Sequence, residues 1–167
     1  MLNKDKQSKA EIRHWILQHA DAFTHVLTLT LKPGYATAAG AHTVARRFHE
    51  KLNKAVWGGR RCRTHRIAWC AVVQGGDTER CHIHAAIGNF PKHLIGTMEL
   101  FRRARNTIKH TDGVWKRNDF DTIESTSHKG LDYPAAVWCR YISRQLKDGA
   151  DMALLVDDLE WGSKYKQ

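Results

Sequence analysis

Two periodicities divide this chain. Over 24–32, Val26, Thr28 and Thr30 alternate with Leu27, Leu29 and Leu31 before Pro33 and Gly34, the period-two pattern of a strand with one apolar face. From Ala41 the period lengthens: Ala41, Val44, Ala45, Phe48, Leu52, Ala55 and Val56 recur at helical spacing, with Arg46, Arg47, Lys51 and Lys54 on other faces. Gly58 and Gly59 end that pattern. The apolar stretches 67–74 and 82–88, joined by the turn-rich 75–80, predict a β-hairpin.

Pro91 suits a first helical position, and Leu94, Ile95, Met98 and Phe101 predict an amphipathic helix that runs into Arg102, Arg103 and Arg105. A loose alternation over 114–124 suggests a strand, 133–147 reads as helix, and 152–161 as a short terminal helix. Strands interspersed with helices imply an α+β fold, a mostly antiparallel sheet with helices on one face, so that the other face stays open for a ligand.

Composition narrows the partner. The 167 residues suit one domain, 1–167, and 27 Lys and Arg against 17 Asp and Glu give a net charge of +10, the footprint of a protein that meets a polyanion. On the 24–32 strand, Thr28, Thr30 and Lys32 share the face opposite the leucines, where hydroxyls and a cation can contact phosphates. The opening MLNKDKQSKAEIRHW lacks the apolar centre of a secretory signal and no run is long enough to span a membrane, so the expectation is a soluble cytoplasmic protein with no membrane partner. Cys62, Cys70, Cys81 and Cys139 show no CxxC spacing and predict no disulfides.

Candidate chemistry concentrates in two places. His82 and His84, at i and i+2 on a strand, project from one face, while Cys81 and Ile83 point the other way. Two neutral imidazoles so placed can clasp a divalent ion, with Gln74 or Glu79 bringing an oxygen as third ligand. Mixed nitrogen and oxygen ligation suits Mn²⁺ or Mg²⁺ better than a closed zinc site. In the last helix Ala135, Trp138, Ile142 and Leu146 form the core stripe. Tyr141 lies about 100° round from it, with Arg144 one turn on.

In this order, a strand of the 24–32 type, then His82-Ile83-His84, then Tyr141-Ile142-Ser143-Arg144 on a helix, the chain resembles the HUH-family Rep endonucleases that initiate rolling-circle replication, over about 24–149. The resemblance implies a ferredoxin-like central antiparallel sheet, His82, His84 and Gln74 as metal ligands, and Tyr141 as a nucleophile on single-stranded DNA. The expected product is a 5′-phosphotyrosine with a free 3′-hydroxyl. It departs from the family at Gln74, where a glutamate is common, and at Arg144, where lysine is common and arginine hardly deprotonates. Lys147 is a further cation near the DNA. With no Gly-x-x-x-x-Gly-Lys-[Ser/Thr] loop, a separate host helicase would unwind the single-stranded or hairpin origin. Two other readings compete: a non-catalytic DNA-binding protein, and an RNA-binding sheet. The second is disfavoured because Trp69 is the only aromatic in the hairpin strands.

Overall fold

The alternating segment forms β1 (Phe23–Thr30), and its leucines behave as the pattern requires: Leu27, Leu29 and Leu31 are buried, whereas Thr28 and Thr30 are half-buried on the reverse face. The computed structural model describes residues 4–75, 81–116, 118–122, 135–144 and 154–155. Around β1 the chain adds α1 (Lys4–Gln18), α2 (Ala38–Arg61), β2 (Ala68–Gln74), β3 (His82–Gly88), α3 (Met98–Lys109), β4 (Asp119–Thr122), α4 (Ala135–Arg144) and β5 (Leu154–Leu155). The strands form one sheet in the order β4-β1-β3-β2-β5, every pairing antiparallel. The expected hairpin is β2–β3.

The two sheet faces bury different things. One carries Leu27, Leu29, Ile83, Ala85, Ile87, Trp69 and Ala71, packed against Val44, Phe48 and Leu52 of α2 and Leu100, Ala104 and Ile108 of α3. Each such fully buried aliphatic or aromatic side chain contributes roughly 1.5–3 kcal/mol relative to exposure, so this face is the principal core. The second face is not open throughout, as the sequence suggested. At one end Val26, Ala68, Cys70, Val72 and Ala86 are covered by Ile16 of α1 and by Cys139 and Ile142 of α4. Burial pushes the Cys139 thiol up to about 12 and the Cys70 thiol higher still, so both remain protonated packing groups.

Several boundaries differ from the sequence pattern, each for a local reason. Pro91 opens a turn rather than a helix: Leu94 N–H donates to the Pro91 carbonyl, Gly96 takes φ +70, and α3 starts only after Thr97, whose hydroxyl accepts from Leu100 N–H. Met98 is 77% exposed and Ile95 41%, so the inward stripe is Leu100, Ala104, Thr107 and Ile108 instead. In α2 the backbone breaks at Gly58 (φ +75), yet a further turn runs to Arg61. In place of a helix over 152–161, Leu154 and Leu155 pair with Val72 and Ala71 on the edge of β2; the rest of that segment lies outside the described residues. The polar N-terminal segment, which carries no clear apolar stripe, contributes α1. No helix among the described residues is long and apolar enough to cross a membrane.

Candidate functional site

Where the apolar cover of the second face ends, a polar patch begins. Because successive strand residues alternate faces, the residues in register with Val26, Ala86 and Cys70 two and four places on share their side of the sheet. These are Thr28 and Thr30 of β1, His84 and His82 of β3, and Gln74 of β2, with Val72 between. The ladder sets them in rows: Thr28 is across from His84 and His84 across from Val72, while Thr30 is across from His82 and His82 across from Gln74. Asp119 of β4 is the register partner of Thr28, a position to which the sequence pattern alone gave no role.

The threonines do more than face outward. Thr28 Oγ1 lies 3.1 Å from His84 Nδ1, and Thr30 Oγ1 lies 3.1 Å from His82 Nδ1. Each imidazole is thus tied by one nitrogen to the neighbouring strand, the arrangement that fixes a metal-ligating histidine's ring and tautomer through its other nitrogen. With Nδ1–H donated to the hydroxyl oxygen, Nε2 keeps the lone pair a metal needs. The sequence assigned these hydroxyls to phosphate contact; the structure places them first on the histidines.

The ring centroids of His82 and His84 are 6.1 Å apart at 29°. Two imidazoles bound ~2.1 Å from one ion at octahedral-cis or tetrahedral angles have centroids about 4.5–5.5 Å apart, so the pair closes by about 1 Å, through rotation of the rings, to share a cation. Burial, with a smaller contribution from His82, lowers the His84 pKa to about 4 and keeps that ring neutral near pH 7, as ligation demands. Gln74, beside His82, can add a neutral amide oxygen. Among the described residues no third His, Cys, Asp or Glu joins the pair in a metal-holding cluster. The donor set fits a loosely held divalent ion with room for oxygen ligands from a phosphate or water, not a closed structural site. Glu79 lies outside the described residues. Cys81 is buried among the leucines on the opposite face, as its position in the alternation requires.

Helix α4 abuts this patch. Trp138 Nε1–H donates to the Ala85 carbonyl at 3.2 Å, and its indole meets the His84 ring edge-on with centroids 6.2 Å apart. Tyr141 and Arg144 stand one and two turns beyond Trp138 on the same helix; their side chains, and Lys147 entirely, lie outside the described residues. Lys32 is exposed just past β1, its backbone N–H donating to the Gly113 carbonyl.

Beside the patch, Thr28 and Thr30 also line a cavity of about 680 Å³ with Arg105, Ile108, Lys109, Lys116 and Asn118. The sequence pattern did not single out Lys109, Lys116 or Asn118, because the cavity forms only when the end of α3 and the segment before β4 close on β1.

Fold and patch together define an α+β protein whose antiparallel sheet carries a tethered histidine pair at the polar end of one face. Compared with protein-family models, with curated proteins and with solved structures, the chain matches none.

Proposed function

We propose that this protein is a metal-dependent endonuclease and strand transferase acting on single-stranded DNA, of the HUH Rep type that the sequence resembles. The observation that carries the reading is the paired, threonine-tethered His82 and His84 next to the helix that bears Tyr141. The succession β1-α2-β2-β3-α3-β4 with order β4-β1-β3-β2, and with α2 and α3 on one face, supports the ferredoxin-like arrangement the resemblance implies.

His82 and His84, with Gln74 beside them, would hold Mn²⁺ or Mg²⁺, which when bound supplies polarisation of the scissile phosphate. Tyr141 supplies the attacking oxygen. A bond forms from the phenolic oxygen to phosphorus, the bond from phosphorus to the 3′-oxygen breaks, the phenolic proton departs, and the leaving oxygen takes one up. The products are a 5′-phosphotyrosine and a free 3′-hydroxyl. Arg144 serves as a fixed cation near the charged phosphate, since a guanidinium does not trade protons near neutrality. A separate host helicase would present the strand.

Incubation with a library of single-stranded origin sequences and Mn²⁺ tests this: a covalent protein–DNA adduct on a denaturing gel is expected, and DNA cut with no adduct would refute the tyrosine mechanism. The neutral Gln74 and the two-histidine cluster favour one competing reading, a DNA-binding protein that has lost cleavage. Salt-sensitive binding of hairpins or single strands with neither nick nor adduct would select it.

A further inference from the structure

We infer that the cavity between β1, the end of α3 and the segment before β4 is a track for single-stranded DNA, in which Arg105, Lys109 and Lys116 follow the phosphates and Trp115 stacks a base. The choice of single-stranded DNA rests on the nuclease reading; the site itself rests on four features of the structure.

The cations are available. On α3, Arg102 and Arg103 are tied to Glu99, whose carboxyl their hydrogen bonds pull down to about 2, and Arg103 also donates to the Ala55 carbonyl. Arg105 and Lys109 are not drawn into that network. Together with Lys116 they are exposed, line the cavity, and have no ion-pair partner among the described residues. Three cations around one cavity, none ion-paired among the described residues, favour a chain of phosphates over a single small anion.

The cavity is of nucleotide scale and adjoins the histidines. Its volume of about 680 Å³ lies within the range for organic ligands, and Thr28 and Thr30 form part of its wall while bonding to His84 and His82. A phosphate chain in it therefore leads to the histidine pair.

An aromatic platform stands next to Lys116 in the chain. Trp115 is 50% exposed, an unusual condition for the largest apolar side chain. Its backbone is held: Trp115 N–H donates to the Thr30 carbonyl at 3.0 Å, and the Asn118 side chain bridges back, its Nδ2–H donating to the Trp115 carbonyl and its Oδ1 accepting from Thr30 N–H. An exposed tryptophan on a held backbone, next in the chain to a lysine of a basic cavity, supplies the combination of cations and aromatic surface by which single strands are bound without base-specific hydrogen bonds. Duplex DNA, whose bases are already stacked, has no use for such a platform.

The test is equilibrium binding of fluorescein-labelled oligothymidylate to the full chain in EDTA, where no metal-dependent cleavage intervenes. Replacing all three cations, Arg105→Gln, Lys109→Gln and Lys116→Gln, should weaken binding at least tenfold and reduce the log–log salt slope by about two. A control with the same charge change, Arg60→Gln, Arg61→Gln and Arg63→Gln, lies in the last turn of α2 and just past it, and should alter affinity less than twofold. Trp115→Ala should weaken binding about tenfold and leave the salt slope unchanged. The three cations and Trp115 are surface residues, and unchanged melting temperatures would establish that each variant is folded. Equal weakening by the two triple variants, unchanged binding by Trp115→Ala, or tighter binding of oligouridylate than of oligothymidylate would each overturn the proposal. Track binding without any adduct in Mn²⁺ would leave the track standing and remove the nuclease reading. Adduct formation with unchanged affinity in the cavity variants would do the reverse.

Discussion

Gln74 stands directly across the β2–β3 ladder from His82. An amide at that position would complete the proposed metal site weakly, because it brings an oxygen dipole but no charge. Gln74→Glu should tighten Mn²⁺ binding about tenfold, on the order of 1.4 kcal/mol, as expected for a carboxylate near a half-exposed cation. Isothermal titration of both proteins measures it; equal affinities would mean that residue 74 does not touch the ion.

The threonine tethers lead to a second expectation. Thr28→Val and Thr30→Val keep side-chain shape and remove the oxygen bonded to Nδ1, so each should lower Mn²⁺ affinity by about 10- to 100-fold. Thr→Ser at the same positions restores the oxygen and should restore most of the affinity. Failure of serine to rescue would indicate that the methyl group, through packing, is what matters.

Tyr141→Phe removes one oxygen from α4. The variant should melt at the wild-type temperature, bind single-stranded DNA normally and form no covalent adduct. Persistent cleavage would assign the attack to another tyrosine, such as Tyr133, or to water.

Stability should depend on pH through His84. Its pKa is lowered to about 4 by burial and by His82, against an ordinary value of 6.5, so between these limits the unfolded chain binds a proton that the folded one does not. The folded state therefore loses stability as pH falls from about 6.5 to 4, by up to about 3 kcal/mol. Urea midpoints across that window, compared with those of His84→Gln, measure it; the same fall in both proteins would place the titration elsewhere.

Gly88 is bound to its place by sterics. A Cβ there would sit 1.8 Å from the Ala22 carbonyl oxygen, with Phe23 Cα at 3.1 Å, all backbone that cannot swing aside. Gly88→Ala should cost more than about 2 kcal/mol, read as a lower thermal midpoint, and a wild-type midpoint would show that the approach is not tight.

What the sequence made legible follows from how local the physics is. Alternation needs only neighbouring residues, so the buried leucines of β1, the common face of His82 and His84, and the opposite face of Cys81 could all be read directly. Hairpin register depends on the connector, so the residues alone left both Gln74 and Glu79 open, with the resemblance favouring Gln74, and the pairing sets Gln74 beside His82. The start of α3 went astray because Pro91 and Leu94 also fit a turn, and only the Gly96 backbone and the Thr97 cap decide between them. Leu154 and Leu155 pair with a strand far away in sequence, a non-local contact that outweighs any helical pattern in so short a segment. The basic cavity combines α3, β1 and the stretch before β4, so no single segment announced it.

β3 is hydrogen-bonded to a neighbour on each side, β1 and β2, and its reverse face is buried beneath α2 and α3. Local opening there requires the middle of the sheet to part, so the Ile83 and Ala85 amides belong with the slowest to exchange with deuterium. Lys109, at the last turn of α3, and Lys116, in the irregular stretch before β4, rest on fewer such bonds. The molecule thus pairs a stiff seat for the histidines with cations carried on less deeply buried backbone beside it.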